Sequence, residues 1–324
     1  MAPGGSTPTR GAGFAPAQAL PQGRVVDVRS SDGVRLHTEV FGPQDGYPIV
    51  LAHGITCAIP VWAYQIADLA EHYRVIAYDH RGHGRSSVPT GRHGYSIDHL
   101  AADLDAVLDA TLAPGERAVI AGHSMGGIAI TSWAERHPHR VAQRADAVAL
   151  INTTTGDLLR NVKFLPVPPT FSGARVRAAG SLLKTFGAAP LVRAADRPSR
   201  RFVSTIAVGR DADPEIVDFV FELFNSTPAA GRGGWARVLV DHLGPQHIGM
   251  KNLTVPTLVI GSQKDRLLPM VSSRRIAATA PNLARLVELS GGHCAILECP
   301  ADVNGQLRWL IDTVTTGASE ATGG

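Results

Sequence analysis

Short apolar runs bounded by turn residues recur along most of this chain: PIVLAHG (48–54), RVIAYDH (74–80), RAVIAGHS (117–124), AVALINT (147–153), TLVIGSQKD (257–265) and RLVELSGGH (285–293). They are short for helices and almost wholly apolar, the pattern of strands buried on both faces of a parallel sheet. Helical spacing fills several of the intervals. In SIDHLAADLDAVLDATL the residues Leu100, Leu104, Val107, Leu108 and Leu112 share one face. GIAITSWAERHPHR sets Ile128, Trp133 and Ala134 at helical spacing and is expected to end at Pro138. Upstream, RVVDVRSSDGVRLHTEVFG alternates around Ser-Asp-Gly, which predicts a hairpin at an antiparallel edge. Strands alternating with helices predict an α/β fold, with a mostly parallel central sheet and helices on both faces.

The rhythm breaks once. From Asp157 to about Gly249 no strand-like run appears, only the helical patches ARVRAAGSLLKTF, SRRFVSTIAVG and PEIVDFVFELFNS, divided by FLPVPPTF and TPAAGRGG. An insertion of that length is too long for a structureless loop, so residues 157–249 are expected to form a helical cap on a core made of 24–156 and 250–314. The Gly-, Pro- and Ala-rich residues 1–23 and the stretch 315–324 read as unstructured tails.

Composition narrows the class. In 324 residues, 44% are hydrophobic, enough for a large core. The net charge of +3 is too small to point to nucleic acid, and the basic group Arg197, Arg200 and Arg201 reads as solvated surface. Cys57, Cys294 and Cys299 are odd in number and lack metal-ligand spacing, which implies reduced thiols and a cytoplasmic setting. No run is long enough to span a membrane, and the first residues lack the charged and apolar regions of a secretory signal. His137-Pro-His139 supplies too few ligands for a metal site, so neither metal nor cofactor is expected.

In an open parallel sheet, functional groups gather beyond the carboxyl ends of the strands. Those ends carry His53-Gly54-Ile55, Asp79, Ser124, Asp265 and His293. A serine within Gly122-His123-Ser124-Met125-Gly126, then an acid, then a histidine, each ends a separate strand. This order and the GHSMG turn resemble the α/β-hydrolase family over residues 25–312. The resemblance implies Ser124 as nucleophile, His293 as base and Asp265 as the acid that orients it, with Asp157 a second position from which some hydrolases supply the acid. A serine hydroxyl must lose its proton as it attacks, and an imidazole with an ordinary pKa of about 6.5 can take it. The glycines let the turn close, and the N–H groups of Ile55 and Met125 are expected to form the oxyanion hole.

DHRGHGRSS (79–87) resembles the family's tight turn bracing that hole, so Asp79, Arg81 and Ser86 are expected to be structural. His53 and His123 are expected to shape the site's loops. Phe219, Phe221, Phe224 and Trp235 favour a cap pocket for a hydrophobic group, with His53, His123, Phe219 and Trp235 as candidate pocket residues. A serine in place of an aspartate nucleophile, and five tyrosines that all precede the cap, argue against haloalkane and epoxide hydrolysis. What remains is hydrolysis of a hydrophobic small-molecule carboxylic ester by an esterase or a lipase-like enzyme, since GHSMGG resembles the turn of monoacylglycerol lipases and general esterases. Carbon–carbon hydrolysis, with Arg193 aimed at the substrate, and cofactor-free perhydrolysis use the same triad. A non-catalytic receptor on this fold is the alternative from another class.

Overall fold

The computed structural model describes residues 20–91, 93–161 and 196–322, together with residues 178, 180, 181, 184 and 185. Residues 1–19 of the expected leading tail, FLPVPPTF, most of ARVRAAGSLLKTF, Arg193 and the Arg197 side chain lie outside the described residues.

The predicted runs are eight strands of one sheet: β1 (Arg24–Arg29), β2 (Arg35–Phe41), β3 (Pro48–Ala52), β4 (Arg74–Tyr78), β5 (Ala118–His123), β6 (Ala145–Ile151), β7 (Thr257–Ser262) and β8 (Leu283–Leu289). Their order across the sheet is β1-β2-β4-β3-β5-β6-β7-β8. β1 and β2 form the expected hairpin, turning at Gly33 with φ 82°, and β2 pairs antiparallel with β4. The remaining pairs are parallel.

Successive residues of a strand point to opposite faces, and the core divides accordingly. Ile49, Leu51, Val75, Ala77, Val119 and Ala121 enter one apolar cluster, whereas Val50, Ala52, Ile76, Tyr78 and Ile120 enter another. Helices cover both. A 3-10 turn (Ile59–Trp62) and α1 (Ala63–Leu69) lie after β3, and α2 (Ile97–Thr111) buries Leu100, Leu104, Val107 and Leu108 as its spacing requires. α3 (Met125–Arg136) ends before Pro138, but the proline then opens α4 (Pro138–Arg144), where its missing N–H is harmless at a first turn.

Between β6 and β7 lie α5 (Leu158–Asn161), α6 (Asp196–Ala207), α7 (Pro214–Ser226) and α8 (Ala229–His242). α8 corrects the sequence reading, which took TPAAGRGG for a divider. Helix propensity is overridden here by close packing: a Cβ on Gly231 would lie 2.0 Å from the Gly82 carbonyl oxygen, and one on Gly234 would lie 2.4 Å from the Tyr95 ring. α9 (Met270–Thr279), α10 (Ala295–Glu298) and α11 (Pro300–Thr322) complete the chain.

α11 also corrects the expected tail at 315–324, since its helix runs to Thr322. It is nucleated by buried Val303, Leu307, Leu310 and Ile311, after which each added residue costs little. The Thr313 and Thr315 hydroxyls donate to the carbonyls of Trp309 and Ile311 four residues back. At the other end Leu20, placed in the leading tail by its composition, packs against the core. Among the described residues no helix is long and apolar enough to cross a membrane.

Candidate active site

The strand–turn–helix from β5 to α3 presents Ser124 at φ 53°, ψ −115°, a backbone conformation that an L-residue adopts only under constraint. The constraint is close packing on both sides. A Cβ on Gly122 would lie 2.4 Å from the Gly126 carbonyl carbon, and one on Gly126 would lie 2.0 Å from the Ala52 carbonyl oxygen. Only glycine at both positions lets β3, β5 and α3 meet this closely.

His293, beyond β8, shares the cavity with Ser124. Its Nδ1 bonds the Asp265 Oδ2 at 2.8 Å. Asp265, beyond β7, is buried and fully occupied: its Oδ1 accepts from the N–H groups of Leu267 and Leu268 at 2.9 and 2.7 Å, and its Oδ2 also accepts from Asn152 Nδ2 at 3.0 Å. With a carboxylate acceptor on Nδ1, the neutral ring carries its proton there and leaves Nε2 without one. Asp157 stands elsewhere, 3.3 Å from His247 Nε2, while Thr155 bonds the other nitrogen of that ring. Sequence reasoning missed Asn152. It sits directly after β6 with φ 44°, and its only signal was that place beyond a strand's carboxyl end.

The loop after β3 closes over Ser124, since a Cβ on Gly54 would lie 3.1 Å from the Ser124 Cβ. Among the described residues neither the Ile55 nor the Met125 N–H is engaged in a hydrogen bond. Met125 also opens α3, where the helix dipole adds positive potential.

The turn after β4 holds this loop from below. Asp79 accepts from the N–H groups of Ile59 and Arg85, each at 2.8 Å, and burial raises its pKa. Ser86 donates to the Asp79 carbonyl and accepts from the His37 N–H. Arg81, fully buried, grips Asp103 with two bonds of 2.7 and 2.6 Å and reaches Asp32 at 2.7 Å.

His123 lines the cavity, and its Nε2 is 2.8 Å from the His293 carbonyl oxygen. The other three candidate pocket residues are not among the described lining residues. His53 lies beneath the loop, bonded to the Gly54 carbonyl oxygen and the His80 N–H. Phe219 packs at the margin of a core cluster. Trp235 turns from the cavity to donate from Nε1 to the Arg81 carbonyl at 3.0 Å, with its ring edge-on to Tyr95. Helical phase explains the miss: Val220 and Phe224 of α7 and Ala236 and Leu239 of α8 face the cavity instead. With Arg232 and the Cys57 and Cys294 thiols they complete a mainly apolar wall; burial lowers the pKa of Arg232 and pushes that of Cys57 up to about 12. The three cysteines are free.

The His293 loop is fastened to the insertion. The Cys294 N–H donates to the Ala207 carbonyl at 2.9 Å, and Glu298 Oε2 accepts from the N–H groups of Gly292 and Gly209 at 2.9 and 2.8 Å.

Burial depresses the pKa of His53 well below its ordinary value, and lowers those of His80 and His123 to about 3 and His83 to about 4. Unfolding restores values near 6.5, so the unfolded chain takes up protons that the folded one refuses. Stability is therefore full above about pH 6.5 and falls as the pH drops towards 4, by about 1.4 kcal/mol per pH unit for each imidazole. Urea unfolding at pH 7.5 and pH 5 is expected to show a large loss at pH 5. Equal midpoints would mean that the four rings do not titrate on unfolding.

The family model for the alpha/beta hydrolase fold matches residues 47–300, and the chain belongs to this family. Among curated proteins, the Mycobacterium tuberculosis protein EphD, named an oxidoreductase, is 39% identical over 113 residues. That match covers 35% of this chain and 19% of EphD, so it spans about a fifth of the relative's length. The Variovorax paradoxus protein RutD, whose name assigns it carbamate hydrolysis, is 30% identical over 80% of this chain and 89% of its own. A non-heme haloperoxidase of Rhodococcus erythropolis is 29% identical over 83% of this chain and 93% of its own. Among solved structures, one described as an aryl esterase from Burkholderia cenocepacia superposes with a TM-score of 0.74 at 21% identity, covering 90% of this chain and all of that one.

Proposed function

We propose that this protein hydrolyses a carboxylic ester of a small, hydrophobic substrate through an acyl-enzyme on Ser124. The observation that carries this reading is the strained Ser124 sharing a mainly apolar cavity with His293, whose other ring nitrogen is held by Asp265. In the proposed course His293 Nε2 takes the hydroxyl proton as Ser124 Oγ attacks the ester carbonyl. The tetrahedral oxyanion is met by the N–H groups of Ile55 and Met125, which need not leave other partners to do so. The imidazolium, stabilised by Asp265, passes the proton to the departing alcohol. His293 then activates a water that releases the acid and regenerates the serine.

The apolar walls supplied by α6, α7 and α8 favour uncharged acyl or aromatic groups. The test is a p-nitrophenyl ester series of increasing acyl length with a charged succinyl ester alongside. A stoichiometric burst and turnover of the uncharged esters is expected, with the charged ester much poorer. Absence of both burst and turnover across the series would remove the ester reading.

Perhydrolysis is the second reading, supported by the haloperoxidase relative that matches most of the chain. It needs the same acyl-enzyme, with hydrogen peroxide replacing water as acyl acceptor. Peroxide-dependent bromination in acetate buffer that outpaces ester turnover would favour it. Tight ligand binding with neither activity would favour a receptor.

A further inference from the structure

In the proposed hydrolysis the Ile55 N–H meets the oxyanion, and it sits in a strained turn. Its neighbour Thr56 has φ 59°, an outlying conformation for a β-branched residue, and the turn bond from the Cys57 N–H to the Gly54 carbonyl is long, at 3.3 Å. Such strain persists only where the surroundings impose it. The Thr56 N–H donates to His83 Nε2 at 3.0 Å.

His83 is buried, and its Nδ1 is 3.2 Å from the Arg81 carbonyl oxygen. A carbonyl can only accept, so Nδ1 carries the proton and Nε2 is left as the acceptor that Thr56 requires. The same Arg81 carbonyl receives the Trp235 indole N–H from α8. His53 and His80 brace the preceding residues: His53 Nε2 accepts the His80 N–H at 3.0 Å, and His80 Nε2 donates to the His53 carbonyl at 2.9 Å.

We propose that His83 is a positioning residue of the oxyanion hole, whose Nε2 holds the Thr56 N–H, one peptide on from the Ile55 N–H, and so keeps the turn of residues 54–57 in the shape that presents that donor. The inference rests on the ester-hydrolase reading only for the task of Ile55; the grip on Thr56 stands apart from it. Without this acceptor the strained Thr56 relaxes, and the Ile55 N–H leaves its place. The loss falls on the transition state, where the oxyanion is fully formed, rather than on substrate binding. The contact of Trp235 with Arg81 further ties the place of the insertion to that of the oxyanion donor.

A pair of substitutions separates acceptor chemistry from packing. In His83→Gln the amide carbonyl reaches about as far as Nε2, whereas the shorter His83→Asn can replace only the Nδ1 donor. Steady-state hydrolysis of p-nitrophenyl butyrate and hydrogen exchange at the Thr56 amide would be measured in both variants and in His83→Leu. The expected result is a kcat lowered about ten- to a hundredfold in His83→Asn and His83→Leu, less than the 10²–10³ of deleting an oxyanion donor outright. KM should stay within about twofold, Thr56 exchange should quicken, and His83→Gln should recover most of the rate.

Equal rates for the Gln and Asn variants would overturn the proposal, as would a lowered kcat with Thr56 exchange unchanged. If His83→Leu fails to fold, the Gln and Asn pair decides alone. A wild-type enzyme inert towards esters would sink the hydrolytic reading and leave the exchange comparison to decide whether His83 holds Thr56.

Discussion

Replacing Ser124 by alanine is expected to abolish the burst and to lower ester turnover by roughly four to six orders of magnitude, leaving only what the cavity and the oxyanion donors achieve alone. The loss should be nearly all in kcat, because the hydroxyl contributes little to an apolar binding wall. Alanine leaves the backbone problem untouched: position 124 still carries a Cβ at φ 53°, ψ −115°. Ser124→Gly should therefore be equally inactive yet about 1 kcal/mol more stable than Ser124→Ala, the relief of strain being partly offset by the entropy glycine loses on folding. Urea midpoints of the two variants test this. A glycine variant no more stable than the alanine one would show that the turn stores no strain, and near-normal turnover in either would remove Ser124 from the proposed chemistry.

The alternation of apolar strands and amphipathic helices announced this sheet because each inner parallel strand buries both faces, which calls for a short and uniform apolar run. All six apolar runs and the hairpin appear as strands, five of the runs buried and the last, β8 at the sheet edge, mostly exposed, and the three residues at separate strand ends, Ser124, Asp265 and His293, do converge. Strand ends were legible because topology brings them to one edge whatever their sequence separation. The pocket wall was less legible. Trp235 and Phe219 belong to helices whose rotation on the sheet is set by contacts such as Gly231 against Gly82, invisible in a linear pattern. The same contacts made a helix of AAGRGG, where propensity alone spoke for a loop. Asn152 and His83 were overlooked for a different reason: each acts by holding a backbone or carboxylate partner that only the folded chain supplies.

The choice between the two candidate acids yields the sharpest contrast. Asp265→Asn is expected to lower kcat about 10⁴-fold, while Asp157→Asn leaves it within about threefold. The Leu267 and Leu268 N–H groups already claim one oxygen at position 265, so an asparagine carbonyl would settle there and turn its NH2 towards His293 and Asn152. A donor facing Nδ1 makes that nitrogen the acceptor and drives the ring proton to Nε2, which can then no longer receive the serine proton. The NH2 would also meet the Asn152 amide donor to donor, so the variant should lose about 1–3 kcal/mol of stability. Asp157 faces His247 and not His293, and its loss loosens only the junction between β6 and the end of the insertion. Side-by-side kinetics and urea unfolding of the two variants would check both halves of the argument. A severe kinetic loss in Asp157→Asn together with a mild one in Asp265→Asn would mean that the acid working in solution is not the one bonded to His293 in the folded structure.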